Sequence, residues 1–262
     1  MDWLKKIKAL NLGSLTEYLP QTGLESVSWV EFVKQASTVL KTSADHKSLK
    51  KVREELRSSL LPEFVESSQG LVSLKELCAL KTDENLEVRR YWGEKVLGLY
   101  FESVLAKPHL LNLDFRPDAF FVSKNLNEPR AHWALSRFIV KLETGFSLSL
   151  GLLYKGYYEQ RPKDFKQALI ELSLLGVEQD PMELENLLLS YFGNAGEKPV
   201  TFELKKFKTS FIELFKYLKK NKRKIPSNFM WMGLALAGVY ETLELLGADY
   251  HVKEVFIRSR KS

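Results

Sequence analysis

The amino-acid sequence predicts a mainly helical fold with one small strand element around residues 119–142. Three observations support this prediction. Apolar residues recur every three or four positions in most segments, which is the spacing of a buried helix face. Proline, glycine and acidic capping residues separate these segments at positions where helices begin and end. Short apolar and aromatic runs that are typical of strands are few elsewhere in the chain.

The composition is that of an ordinary globular protein, with 45% hydrophobic and 27% charged residues among 262. We expect a helical N-terminal region, residues 1–82, followed by a helical domain, residues 83–262. The net charge of +6 leaves a membrane surface, nucleic acid or a nucleotide open as partners, beside simple solubility. The single cysteine, Cys78, excludes an intrachain disulfide, and its apolar neighbours predict a core residue.

The sequence predicts a cytoplasmic protein. The first residues, Met1–Leu12, are a short amphipathic segment with no long apolar run after it, so no signal peptide is visible. The longest apolar run, Phe229–Tyr240, spans about 12 residues and is too short to cross a bilayer. We therefore expect it to form a buried helix.

The first part of the chain is predicted to form four helical segments. The third is short and apolar, and the fourth has an apolar stripe with a spacing of four residues along its length. Proline residues mark a break in the second segment and the end of the fourth. The segments are Leu24–Lys41, Asp45–Ser67 with Pro62, Leu71–Leu80, and the helix capped by Asp83 that runs to Ala106 before Pro108.

The second part begins with Ala131–Leu142, which is apolar and fits a strand or a helix. Helices follow to the end of the chain. The clearest start is at Asp180, an N-cap followed by Pro181 at the first helical position and Glu183 at the third. The predicted helices are Phe146–Gln160, Pro162–Leu175, Asp180–Phe192, Phe202–Asn221, Pro226–Gly247 and Val252–Ile257.

A polar loop lies between the fourth helix and the predicted strand Ala119–Val122. It contains Asp114, Arg116, Pro117 and Asp118 within five positions. The catalytic residues of a kinase-like C-terminal lobe occupy a loop of this kind, between a helix and a short strand. This loop is therefore the principal candidate site.

The loop and the order of elements around it resemble the C-terminal lobe of the UbiB/AarF family of atypical kinases. That family carries the catalytic-loop motif H-A-D-P-H-P-G-N before an apolar strand. The matching stretch here is N-L-D-F-R-P-D-A, which keeps the aspartate as Asp114 and the second proline as Pro117. The histidines, the glycine and the final asparagine of the motif are replaced by Asn112, Arg116, Asp118 and Ala119.

The resemblance extends over roughly Arg89–Phe256 and implies a protein-kinase-like C-lobe helix stack with a helical N-terminal addition. The family's D-F-G motif aligns with Leu135-Ser136-Arg137, where no acidic residue is present. The first 80 residues lack the nucleotide-binding lobe of the family. Trp29–Asp45 carries Lys34 and Gln35, as the K-x-G-Q helix of the family does, but without its glycine and its spacing.

Phosphoryl transfer requires an aspartate that orients the nucleophile, metal ligands and a cation at the phosphates. Asp114 is the candidate catalytic residue, and Asp118 is the candidate cofactor-binding residue. Ala119, at the position of the metal-binding asparagine, has no ligand atom. The alternative is that Asp114 is a structural carboxylate that caps backbone N–H groups or pairs with Arg116.

Other chemical sites find less support. The four histidines are scattered without metal-ligand spacing, so no metal site is predicted. A basic run near the end of a predicted helix is either a solvated helix end or a patch for an anionic membrane surface. Nucleic acid is not favoured, because no aromatic side chains are interleaved with the run. The run consists of Lys219, Lys220, Lys222, Arg223 and Lys224.

The resemblance implies a degenerate, pseudokinase-like member of the family: a binding or scaffold protein, peripheral to the inner membrane face and linked to lipid or quinone metabolism. This prediction includes an unidentified protein partner and no cofactor. One alternative is a residual ATPase or atypical kinase that uses Asp114 with ATP and Mg²⁺. The other is a helical protein-interaction module whose likeness to kinases is only topological.

Overall fold

The structure, a computed structural model, describes residues 29–58, 68–79, 86–192 and 198–260. These residues are mainly helical, as predicted. The helices are α1 (Trp29–Ala44), α2 (His46–Arg57), α3 (Leu74–Ala79), α4 (Leu86–Leu105), α5 (Thr144–Tyr158), α6 (Pro162–Glu171), α7 (Met182–Phe192), α8 (Leu204–Lys220), α9 (Ser227–Leu246) and α10 (Val252–Ser259). The strands are β1 (Val72–Ser73), β2 (Leu110–Asn112), β3 (Phe120–Val122), β4 (Ala131–Trp133), β5 (Ile139–Lys141), β6 (Val200–Thr201) and β7 (Asp249–Tyr250).

Several predicted features lie outside the described residues. They are the segment Met1–Leu12, the start of the helix Leu24–Lys41, the break at Pro62 with the end of its segment at Ser67, and the cap at Asp83. Among the described helices, the predicted N-cap at Asp180 is confirmed, because its Oδ1 accepts a hydrogen bond of 2.9 Å from the backbone N–H of Met182. Helix α6 ends at Glu171, four residues before the predicted end.

The predicted helix Leu71–Leu80 is wrong at its start. Val72 and Ser73 form β1, which pairs antiparallel with β3, and the helix begins only at Leu74. Ser73 and Glu76 form a capping box: the Ser73 N–H donates to Glu76 Oε2 at 3.1 Å, and the Glu76 N–H donates to Ser73 Oγ at 3.2 Å. The box fixes the first residue of α3 and leaves Val72 free to pair in the sheet.

The segment Ala131–Leu142, whose sequence fits either a strand or a helix, forms two strands. β4 pairs antiparallel with β3, and β5 pairs antiparallel with β2. The registers join Phe120 to Trp133 and Asn112 to Ile139. Short strands β2, β6 and β7 were not predicted, because two or three residues are too few to show an alternating pattern.

Helix α9 is the central helix of the core. Nearly all of its residues between Ser227 and Leu243 are buried, which confirms that the run Phe229–Tyr240 forms a buried helix. Among the described residues, α9 is also long and apolar enough to cross a membrane, but 83% of that apolar window is buried inside the protein. Helix α4 is likewise buried on all sides between Val96 and Val104, and not along one stripe as predicted.

The N-terminal helices α1 and α2 pack onto the rest of the chain and share its hydrophobic core. The Phe32 ring stacks on the Trp231 ring with centroids 4.4 Å apart. The Trp231 Nε1–H donates to Gln35 Oε1 at 2.8 Å. These contacts join α1 to α9, which lie nearly 200 positions apart in the sequence. The hydrophobic periodicity of either helix does not predict which helix packs against it.

Helices α5 and α6 approach each other closely at Gly156. A Cβ atom at this position would lie 2.4 Å from the backbone nitrogen and 2.7 Å from the Cα atom of Phe165. Backbone atoms cannot move aside as a flexible side chain does, so the close approach requires glycine. Gly145 lies in the first turn of the same helix, and nothing lies within 4 Å of a Cβ atom built there.

We expect Gly156→Ala to lower the free energy of unfolding by about 2 kcal/mol, because the methyl group forces α5 away from α6. The matched control Gly145→Ala is expected to be neutral or stabilising by up to about 1 kcal/mol, since alanine favours the helix. Urea denaturation followed by circular dichroism measures both. Equal effects of the two substitutions would contradict the close approach at Gly156.

Candidate functional site

The polar loop, residues 113–119, joins β2 to β3 and ends in the short 3₁₀ helix Pro117–Ala119. A second connection, the facing turn of residues 134–138, joins β4 to β5. Because β2 pairs with β5 and β3 pairs with β4, the loop and the turn leave the sheets side by side. Two backbone hydrogen bonds link them, from Leu113 N to Phe138 O and from Ala134 N to Ala119 O.

Asn112 connects the polar loop to the facing turn. Its side chain is fully buried, and its Oδ1 accepts hydrogen bonds from Ser136 N at 3.2 Å and from Ser136 Oγ at 2.6 Å. Ser136 Oγ also accepts from the Phe138 N–H at 3.0 Å. Among the described residues, Asn112 Nδ2 is buried without a hydrogen-bond partner. The Asn112 amide oxygen thus joins the two segments, a role that was not predicted for this residue.

Asp114 is paired with Arg116 through both of its carboxylate oxygens. Arg116 Nε donates to Oδ1 at 2.8 Å, and Nη2 donates to Oδ2 at 2.8 Å. The Arg116 backbone N–H adds a longer bond of 3.3 Å to Oδ1. The hydrogen bond to Asp114 raises the pKa of Arg116. Of the two interpretations of Asp114, this geometry matches the structural carboxylate that pairs with Arg116.

The backbone of the polar loop is held from two other elements. The Trp133 Nε1–H of β4 donates to the carbonyl oxygen of Asp114 at 3.0 Å. The Thr242 hydroxyl of α9 donates to the carbonyl oxygen of Phe115 at 2.6 Å, in a fully buried position. The Phe115 ring itself is buried against Trp133 and Phe120. The loop is therefore fixed in one conformation by the core below it.

The candidate cofactor-binding residue Asp118 is directed toward α3. Its carboxylate lies 3.6 Å from Lys75 Nζ, and both side chains are 68% exposed. The two positions that align with the family's metal ligands are Ala119 and Leu135, and both are buried apolar residues. Within the described ranges, no group of three or more His, Cys, Asp or Glu side chains is arranged to hold a metal ion.

Helix α2 holds the facing turn through Arg53. Its guanidinium donates to the Leu135 carbonyl oxygen at 2.8 Å and to the Ser136 carbonyl oxygen at 3.1 Å. Burial, followed by repulsion from Arg57 and Arg137, lowers the pKa of Arg53. Sequence reasoning missed this residue, because a partner 83 positions away leaves no local signal.

His109 lies just before β2 and is unusual in two respects. Its φ angle of 60° is in the left-handed region, which is uncommon for histidine. Its side chain is buried, and neither ring nitrogen has a hydrogen-bond partner in the part of the chain that the structure describes. Burial, with repulsion from Lys107 and Lys141, lowers the pKa of His109, so the imidazole is held in its neutral form.

The basic run lies at the C-terminal end of α8 and in the turn that follows. Its four lysines are exposed, while Arg223 is half-buried with its guanidinium close to Gly176. Lys220 Nζ lies 3.4 Å from Glu183 Oε1 of α7. The basic run therefore places lysine side chains at the negative, C-terminal end of the α8 dipole, and Lys220 contacts α7 through Glu183.

Two exposed apolar side chains lie beside the basic run. Val177 and Met182, in and after the turn before α7, are 66% and 63% exposed. A hydrogen bond of 2.9 Å from Gln179 Nε2 to Asn221 Oδ1 joins this turn to the basic run. Glu178 and Asp180 of the same turn are also exposed and reduce the net positive charge of the surface.

No family model and no curated protein matches this chain. The structure brings together Asn112, Asp114, Arg116 and Ser136, and it directs Asp118 away to Lys75.

Proposed function

We propose that this chain is a non-catalytic binding or scaffold protein, pseudokinase-like and related to the UbiB/AarF family. The observation that carries the proposal is the pairing of both Asp114 carboxylate oxygens with Arg116. Asp114 aligns with the family's catalytic aspartate. A carboxylate whose two oxygens both accept hydrogen bonds from a neighbouring guanidinium is held by its own loop and is not directed at a substrate.

The arrangement of strands supports the kinase-like part of the proposal. In the alignment with the family, Asn112 occupies the position of the first histidine of the catalytic motif, and Ser136 occupies the middle position of D-F-G. The hydrogen bond of 2.6 Å between their side chains joins the two segments that carry the chemistry in an active kinase. The helices α5 to α10 follow these segments in the order expected for a C-lobe helix stack.

The chemistry of the aligned positions supports the non-catalytic part of the proposal. Mg²⁺ binds oxygen ligands in near-octahedral geometry. Ala119 and Leu135 stand where the family has its asparagine and aspartate ligands, and neither has a side-chain oxygen. Asp118 is exposed and pairs with Lys75. The proposed role thus depends on binding surfaces, and a protein partner is the expected ligand of such a scaffold.

We propose in addition that the protein is cytoplasmic and attaches weakly to an anionic membrane through the basic run. Basic residues near anionic headgroups contribute about 1 kcal/mol each. The exposed side chains of Val177 and Met182 lie beside the run and supply apolar contacts that a purely solvated helix end does not need. The neighbouring acidic residues Glu178 and Asp180 weaken the attraction, so attachment is expected to be salt-sensitive.

The first experiment measures thermal stability with and without Mg²⁺ and ATP. We expect no change in Tm on addition of millimolar Mg²⁺–ATP, because both Asp114 carboxylate oxygens are paired with Arg116 and the aligned ligand positions hold the apolar residues Ala119 and Leu135. A ligand at 100 times its Kd would stabilise the protein by about 2.7 kcal/mol. The shift is compared within each variant, since Asp114→Ala leaves Arg116 without its partner and lowers the starting Tm.

A dose-dependent rise in the wild-type Tm that disappears in Asp114→Ala would overturn the non-catalytic proposal. It would favour the residual ATPase or kinase that uses Asp114.

The second experiment measures sedimentation with vesicles of phosphatidylserine and phosphatidylcholine. We expect binding to the anionic vesicles to weaken at least about tenfold when the basic run is changed to glutamine. The variant changes Lys219, Lys220, Lys222, Arg223 and Lys224. The matched control changes five exposed lysines elsewhere, Lys47, Lys124, Lys163, Lys198 and Lys205, and removes the same charge.

Equal pelleting of the wild type and the basic-run variant would remove the membrane proposal. An equal loss in the control variant would also contradict it, because the effect would then come from net charge and not from this surface.

A further inference from the structure

A cleft of about 460 Å³ lies between the N-terminal helices and the β2–β5 pair. Helices α1 and α2 form one wall, and the strands form the other. The volume falls within the range of small-molecule sites in proteins, about 300 to 1,000 Å³. The cleft is separate from the polar loop, because none of residues 113–119 lines it.

The cleft has an apolar part and a polar part. Both walls contribute apolar side chains, and a ligand can bury a hydrocarbon group against them. The uncharged polar side chains come from α1 and α2, and three of them already donate hydrogen bonds within the protein: Gln35 Nε2 to Glu143, Thr38 Oγ1 to the Lys34 carbonyl oxygen and Ser48 Oγ to Asp45. The apolar lining residues are Val39, Val52, Leu110, Ile139 and Val140, and the uncharged polar ones are Gln35, Thr38, Thr42 and Ser48.

The charged lining residues are two lysines and one glutamate. Lys51 comes from α2 and Lys141 from β5, so the two walls each supply one cation. Neither lysine forms an ion pair with any residue in the described part of the chain, and Glu55 is the acidic side chain that lines the cleft beside them. Both lysine side chains are exposed, so each wall offers an ammonium group that can donate hydrogen bonds to an anion in the cleft.

Both walls of the cleft are held in place without a ligand. Gln35 of α1 accepts a hydrogen bond from Trp231, and Arg53 of α2 donates to the facing turn that leads into β5. Strand β5 is paired with β2 along its whole length. A site whose walls are already fixed loses less conformational entropy when a ligand binds.

We propose that this cleft binds a small amphipathic anion: a carboxylate or phosphate group that carries a short hydrocarbon chain. The anionic group lies between Lys51 and Lys141, and the chain lies on the apolar surface around Val52 and Ile139. The proposal rests on the function proposed above, since it gives the non-catalytic binding protein a ligand class. Its chemistry needs neither a nucleotide nor Asp114.

The test is isothermal titration of the full chain at low ionic strength with octanoate and with octyl phosphate, both below the concentration at which they form micelles. Octanol supplies the same chain without the charge, and inorganic phosphate supplies the charge without the chain. We expect saturable binding of at least one amphipathic anion and weaker binding of both control compounds. The comparison between octanoate and octyl phosphate tells a carboxylate site from a phosphate site.

Two variants locate the binding in the cleft. Lys51→Gln with Lys141→Gln is expected to weaken binding at least about tenfold, because charge-assisted hydrogen bonds are lost. The matched control is Lys47→Gln with Lys50→Gln. It removes two exposed positive charges from α2, the helix that carries Lys51, at positions that do not line the cleft. Thr42→Trp fills the cleft while both lysines remain, and it is expected to reduce binding as well.

The proposal is overturned if neither anion binds the wild type, or if the control variant weakens binding as much as the cleft variant does. These failures leave the non-catalytic proposal intact, since that proposal fails only on Asp114-dependent binding of Mg²⁺–ATP. The two results are therefore distinguishable.

Discussion

The hydrogen bonds that Asn112 accepts from Ser136 are the interaction on which the rest of the candidate site depends. They join the polar loop to the facing turn at the point where β2 and β5 begin to separate. The Asn112 side chain is fully buried and Ser136 is half-buried, and loss of a hydrogen bond of this kind costs about 1 kcal/mol. Arg53 of α2 donates hydrogen bonds to the carbonyl oxygens of the same turn. This contact attaches the N-terminal helices to the turn.

This connection explains why the pairing of Asp114 with Arg116 matters for function. The loop backbone is held at Asp114 by Trp133 and at the next residue by Thr242, so the carboxylate is presented in one orientation, toward Arg116. Phosphoryl transfer needs charged groups that are free to act on a phosphate and its metal ions. The function proposed above gives this fixed loop a supporting role, because it is bonded to the facing turn that leads into β5 and the cleft beside that strand.

The sequence predicted the helices well where the signal is local. The cap at Asp180 and the buried run Phe229–Tyr240 follow from residues within one turn or one helix. It did not predict β1, because two residues show no alternation and the pairing of Val72 with Val122 spans 50 positions. In the site, Asp114 and Arg116 lie two positions apart, and their pairing was foreseen as an alternative. The contacts of Asn112 with Ser136 and of Arg53 with Leu135 were not, because they arise only when distant segments meet.

Hydrogen–deuterium exchange of the Asn112→Ala variant tests the central claim most directly, because it reports on the loop and the turn separately. If the amide of Asn112 holds the two segments together, exchange should become at least about tenfold faster in residues 113–119 and also in residues 134–138. Exchange in α9, outside the loop contact at Thr242, should remain as in the wild type. Faster exchange in one segment alone, or in neither, would contradict the account.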